Sequence, residues 1–266
     1  MWQPDGWGST RIGILTPHAD VNPESEFSAM VPSGISIHAA RVPMGAYRPG
    51  GVMDLKISDD PVRAFADPPL VDDAAELLAS APLHAIVFAF TSSSYVRGSA
   101  EDNRLKERLE ARTRGIPVVI PCAAAVAALR VLNAKKLALI SPPWFSAEMD
   151  RQGADYFGAQ GFELVYSGSA ALPSDQQAIR PNELYEWVCM HTPKIAQAVF
   201  IGGNGLRAVG IVKALEETLG IPILTANQVS LWQALQLSRS QVPILHYGRI
   251  FHHEVPTSTS RRARRL

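Results

Sequence analysis

The chain has 266 residues, 47% of them apolar and 19% charged, which is enough to bury the core of one large or two modest domains. Lys plus Arg (25) equals Asp plus Glu (25), so no net field points to nucleic acid or to an anionic membrane. Two cysteines without CxxC spacing argue against a disulfide framework or a structural zinc site, and no apolar run approaches the ~20 residues of a membrane helix.

In chain order, the opening MWQPDGWGSTR lacks a basic-then-apolar leader, and a reduced, cytoplasmic protein is expected. RIGIL (residues 11–15) reads as the first strand. The turn-rich loop 16–26 follows it, carrying His18, Asp20, Asn22 and Glu24, and its Asn22-Pro23-Glu24 starts a helix. GISIHAARV (34–42) is a second strand with His38 inside it. Residues 43–69, rich in Gly and Pro, read as a long irregular excursion that either covers a site or lies bland on the surface. A helix follows over 71–81, then the strand KLALIS at 136–141, with Trp144 and Phe145 opening a helix towards Phe157. GFELVY (161–166) is a strand, ALPSDQQAI (171–179) a loop and 181–190 a helix. PILHYGRIF (243–251) reads as a last strand-like run, and SRRARRL as a solvated basic tail.

One unit occurs twice. GIPVVIPCAAAVAAL (115–129) and GIPILTANQVSLWQAL (220–235) share Gly-Ile-Pro, a short strand, a small or polar corner and an apolar helix. The strands HAIVFAFTSSSY (84–95) and QAVFIGGNGL (197–206) precede the two copies. Aligning Ala85 with Ala198 sets Phe90 opposite Gly203 and Thr91 opposite Asn204. Strands alternating with helices give an α/β fold of two pseudo-symmetric lobes with parallel sheets, and the duplication faces two loop sets across one cleft. The expected division is 1–135, 136–240 and a C-terminal segment 241–266 that could return to the first lobe.

The loops at the strand ends could carry chemistry. Thr91, Ser92 and Ser93 leave an apolar strand as neutral donors at a helix start, either as an oxyanion cradle or as plain helix caps. Gly202 to Gly205 occupy the matching place, where glycines admit a ligand to the backbone and Asn204 can donate or accept. Cys122 sits at the third corner, paired with Ala226-Asn227-Gln228, as an activated nucleophile or as an inert core residue. Neither GxGxxG nor a Walker lysine is present, and His252-His253 lack a third metal ligand.

Taken in order, residues 16–26, FTSSSYVRG, GIPVVIPCAAAVAAL, LALISPPWF, FIGGNGLRA and GIPILTANQVSLWQAL resemble the maleate cis–trans isomerase and arylmalonate decarboxylase branch of the aspartate/glutamate racemase superfamily. The resemblance runs from about Arg11 to Leu237. It implies a cofactor-independent, usually oligomeric enzyme holding a small carboxylate between two lobes. It also places the branch's cysteine pair at Phe90 and Gly203, its carboxylate-holding hydroxyls at Thr91 and Ser92, and an asparagine of its first loop at Asp20. A tyrosine of the branch is replaced by Pro143, with Trp144 beside it. An isomerase or decarboxylase without the paired thiols is therefore expected, with Asp20, Thr91 and Ser92 catalytic. His18, Ser93, Trp144, Asp175, Gln176, Gly203, Asn204 and Gly205 would bind a small carboxylate or carbonyl substrate. No cofactor, metal, nucleic acid or membrane is expected, and a homo-oligomer is. The alternative is a non-catalytic small-molecule binder derived from such enzymes.

Overall fold

The computed structural model describes residues 5–254; the basic tail lies outside them. Two four-stranded parallel sheets form its centre. The first is built from β1 (Thr10–Pro17), β2 (Ile35–Val42), β5 (Ala85–Phe88) and β6 (Val118–Val119), in the order β2-β1-β5-β6. The second uses β7 (Lys136–Ser141), β8 (Glu163–Ser169), β9 (Ala198–Ile201) and β10 (Ile223–Thr225), in the order β8-β7-β9-β10. In each sheet the first strand lies between the second and third, and the fourth takes the edge. Every residue of β5, β9 and β10 is buried, as expected of parallel strands covered on both faces. In such a sheet, neighbouring strands whose connections leave to opposite sides open a crevice at their carboxyl ends. Here those pairs are β1 with β5 and β7 with β9.

The helices interlock the halves. α4 (Thr91–Arg112), broken at Gly98 where φ is +80°, leaves the first sheet and packs on α6 (Ala147–Ala159) of the second. In return α9 (Ala226–Leu237), which follows β10, packs on α5 (Pro121–Val131), α1 (Asn22–Met30), β5 and β6. A capping box between Thr225 and Gln228 starts α9. The fully buried Phe27, Phe88, Phe157, Phe200 and Trp232 fill the core between these layers.

Three expectations need correction. The excursion 43–69 is not wholly irregular: it holds the hairpin β3 (Tyr47–Arg48) with β4 (Val52–Met53), then α2 (Asp59–Ala66), whose Val62, Phe65 and Ala66 are buried. Trp144 and Phe145 do not open the next helix, because Ser146 caps α6 by accepting the Met149 N–H at 3.1 Å. The run 243–251 is no strand; positive φ at His246 (71°) and Gly248 (103°) breaks the extended chain, and residues 249–252 form a 3-10 turn. The backbone of this run and just beyond it instead satisfies α9, with Gln228 donating to the Tyr247 carbonyl (2.6 Å) and Trp232 to that of His253 (2.8 Å). The remaining α-helices of the described residues are α3 (Leu70–Leu78), α7 (Pro181–His191) and α8 (Val212–Leu219).

Candidate functional site

The crevices of both sheets merge into one narrow cleft with about 30 Å³ of free interior space. The end of β1 gives Asp20; the end of β5 gives Phe90, Thr91 and Ser92; the end of β9 gives Gly203, Asn204 and Gly205. The segment after β7 adds Trp144 and Phe145, and Gln176 comes from the loop after β8. The excursion closes the top with Met44, Tyr47, Met53 and Ile57. It is fastened to the second lobe, since Lys56 donates to the carbonyls of Pro143 and Phe145 (both 2.7 Å) and the Ile57 N–H to that of Trp144 (3.0 Å).

The duplicated loops meet. Thr91 and Asn204, equivalent in the repeat, bond to each other: Asn204 Oδ1 accepts the Thr91 N–H at 2.9 Å and the Thr91 O–H at 2.6 Å. Their carbonyls are held alike, Asn204 O by Asn227 Nδ2 (2.9 Å) and Thr91 O by the Cys122 thiol (3.8 Å). Asn227 and Cys122 are themselves equivalent in the repeat. Ser92 is 3% exposed, and among the described residues its hydroxyl has no partner across the cleft. The N–H groups of Gly203, Asn204 and Gly205 likewise meet no acceptor among the described residues. Gly203 (φ +85°) puts these amides in the kind of concave turn that suits an anion.

Asp20, 4% exposed, is the acidic side chain of this wall. Its Oδ1 accepts the Asn22 N–H at 3.0 Å, and burial raises its carboxyl to about 6 despite that bond. Arg41 donates to the Asp20 carbonyl and pairs with Glu24. Burial, with Asp20 nearby, holds the Tyr47 phenol protonated well above its usual range. Gly205 permits this crowding, since a methyl built there would fall 2.1 Å from Gln176 Nε2 and 2.9 Å from Asp20 Oδ2.

Not every expected residue joins the cleft. His18 is exposed outside it, its Nδ1 accepting the Met44 N–H (3.1 Å) and its ring edge-on to Tyr47, so it props the excursion. Asp175 is exposed and accepts the Gln177 N–H (2.9 Å), shaping the loop that carries Gln176. Ser93 is buried behind the wall, its hydroxyl without a partner among the described residues. Phe90 and Gly203 do line the cleft, Phe90 with its ring 4.3 Å from that of Phe65. Sequence reasoning missed Tyr47, Met53 and Ile57, which lie in a stretch without clear periodicity, and it missed Glu26 behind Asn204. Glu26 had a signal: Pro23, Glu26, Phe27 and Met30 mark one helical stripe, so the carboxylate interrupts an apolar face.

Cys122 is fully buried and is not part of the cleft wall. Burial pushes its thiol well above the usual range, and Asp102 adds to the effect. Asp102 is itself a buried carboxyl raised to about 6, accepting from Tyr156 (2.8 Å) and Ser94 (3.0 Å). Native protein should therefore take up at most one equivalent of iodoacetamide, at Cys189, and a second only on unfolding. Intact-mass spectrometry checks this. Among the described residues no cluster of three or more His, Cys, Asp or Glu is poised for a metal, and no helix is long and apolar enough to cross a membrane.

The profile of the arylmalonate decarboxylase family matches residues 64–251. The chain belongs to that family. A maleate isomerase of Geobacillus stearothermophilus is 23% identical over 241 residues, covering 85% of this chain and 90% of its own. The fold of this family member is shared by the maleate isomerase of Pseudomonas putida crystallised with maleate (TM-score 0.79, 16% identity, 91% of this chain and 97% of that one). It is shared equally by an arylmalonate decarboxylase crystal structure (TM-score 0.73, 18% identity, 91% and 99%). The α/β architecture and the branch expected from the sequence are both found.

Proposed function

We propose that the protein is an isomerase or decarboxylase of small carboxylates that works without a cofactor and without a thiol in its cleft. One observation carries this reading: the two equivalent loops meet across a single cleft that joins unpaired N–H donors to a buried carboxylate raised to about 6. The curated relative is a maleate isomerase, and the family is named for arylmalonate decarboxylation, so the substrate class is a carboxylate small enough for this gap. The amides of Gly203 to Gly205 and the Ser92 hydroxyl would hold the negative charge that develops on the substrate carboxylate. Asp20 is the proton carrier. Its carboxylate takes the proton from the carbon next to the bound carboxylate as the electron pair delocalises onto it, and the protonated Asp20 then delivers that proton to a different carbon of the delocalised anion, which shifts the double bond. In a decarboxylation, protonated Asp20 would quench the carbanion left by carbon dioxide. Thr91, Trp144 and Gln176 complete the contacts, while Phe90 and Gly203 stand where the resemblance places cysteines.

A second reading, a small-molecule binder without turnover, is favoured by the absence of cysteine among the described residues lining the cleft. A screen with maleate, phenylmalonate and 2-hydroxy acids, run with and without chelator, separates the two. Turnover insensitive to chelator and to thiol alkylation supports the enzyme. Saturable binding with no product supports the binder, and loss of activity on alkylating the native protein overturns the thiol-free chemistry.

A further inference from the structure

Behind the cleft runs a closed chain of hydrogen bonds whose direction is forced. At one end the N–H groups of Ala208 and Val209 donate to Glu26 Oε1 (2.6 and 3.0 Å). At the other end the Thr91 N–H donates to Asn204 Oδ1 (2.9 Å). Between them Asn204 Nδ2 donates to Asn227 Oδ1 (2.8 Å), and Asn227 Nδ2 to Glu26 Oε2 (2.7 Å). A main-chain amide can only donate, and a carboxamide passes on one acceptor for one donor, so each Asn preserves the direction it is given. Two runs of donors therefore converge from opposite ends, and the residue where they meet must accept on both sides. Only an ionised carboxylate does that, and Glu26 stands there. All four side chains are at least nine-tenths buried, so water does not relieve a mismatch cheaply.

The same direction decides what Thr91 offers a ligand. Its hydroxyl hydrogen is spent on Asn204 Oδ1 (2.6 Å), leaving only lone pairs. We propose that Glu26 is a positioning residue: through Asn227 and Asn204 it fixes the Thr91 hydroxyl as an acceptor, so the cleft prefers a small carboxylate bearing its own O–H or N–H over the same molecule without it. This rests on the cleft being a carboxylate site. Asp20, the other acceptor of the wall, adds to the preference. Among the described residues Asp20 is also the charged group that acts on Glu26, while Asn227 and the amides of Ala208 and Val209 face it as neutral donors. Burial pushes the Glu26 carboxyl to about 7. Protonation there would set a donor against a donor, so the preference fades as pH falls through 7.

The test uses mandelate and phenylacetate, which differ by one hydroxyl, titrated calorimetrically at pH 8. The Thr91 amide and Asn204 side-chain amide resonances are recorded without ligand. Wild-type protein should bind mandelate about tenfold tighter, the equivalent of one hydrogen bond. Glu26→Gln should bring the ratio within about twofold and move both amide signals. Glu26→Gln with Asn227→Asp shifts the double acceptor one residue along the chain. It should recover part of the ratio, though not all, because one oxygen of the relocated carboxylate would face the Asn204 carbonyl. No preference in wild type, a preference untouched by Glu26→Gln, or no recovery in the double variant overturns the proposal. If neither acid binds, the carboxylate reading of the cleft fails, while unmoved amide signals would separately refute the role of Glu26. Should Glu26→Gln alone not fold, the double variant decides by its ratio and its Thr91 signal.

Discussion

Gly203→Cys, which puts a thiol in the wall of the second sheet, should lower stability by about 2–5 kcal/mol in urea denaturation. Two costs add. A non-glycine residue held at φ +85° carries roughly 1–2 kcal/mol of backbone strain. The new Cβ would lie 2.2 Å from Cγ of Pro142, an overlap that costs about 1–3 kcal/mol where the neighbour cannot yield. Pro142 cannot yield freely, because it sits at the end of β7 and its carbonyl accepts the Phe145 N–H (3.0 Å). Gly203→Cys with Pro142→Gly should recover the steric share and leave the strain. A single variant as stable as wild type would show that the loop gives way, and that sulfur is missing here for some other reason.

Asp20→Asn should cut turnover by about 100-fold, the usual loss when a proton carrier is removed, yet make the protein more stable at pH 8. The sign follows from where the group holds its proton. Folded Asp20 titrates at about 6 and the unfolded group at 3.8, so between those values the native state binds more protons than the unfolded one. Stability therefore falls as pH rises across that window and is level above about 6. The asparagine carries no such burden and its Oδ1 still accepts the Asn22 N–H. Its advantage should be about 3 kcal/mol at pH 8 and largely gone by pH 4. Thermal melts of both proteins at the two pH values, beside initial rates, test the pair of effects. If turnover is unchanged, Asp20 is not the proton carrier.

The duplication carried much of this structure in plain view. Matching Ala85 with Ala198 sets Thr91 against Asn204, and the two side chains bond across the cleft. Buried β5 and β9 read clearly as apolar runs, because parallel strands covered on both faces hide few polar residues. What stayed hidden depends on contacts distant in sequence. Tyr47 and Met53 sit on strands of two residues, too short to show a period, and face the cleft only because Lys56 pins their segment to the second lobe. His18 is near Asp20 in sequence but its ring turns outward, so proximity along the chain misassigned it. Trp144 and Phe145 line the cleft from a turn, because Ser146 and not Trp144 starts the helix.

The reciprocal packing of α4 on α6 and of α9 on the first sheet bears on how the molecule is assembled during synthesis. The strands of the first sheet emerge from the ribosome by residue 119, yet the helix that seals β5 and β6 spans Ala226–Leu237. Until that helix arrives, an apolar surface stays open on the nascent chain. The N-terminal half therefore cannot finish folding ahead of the C-terminal half, as successive domains commonly do. Both faces of the first sheet are covered only once α9 has been made.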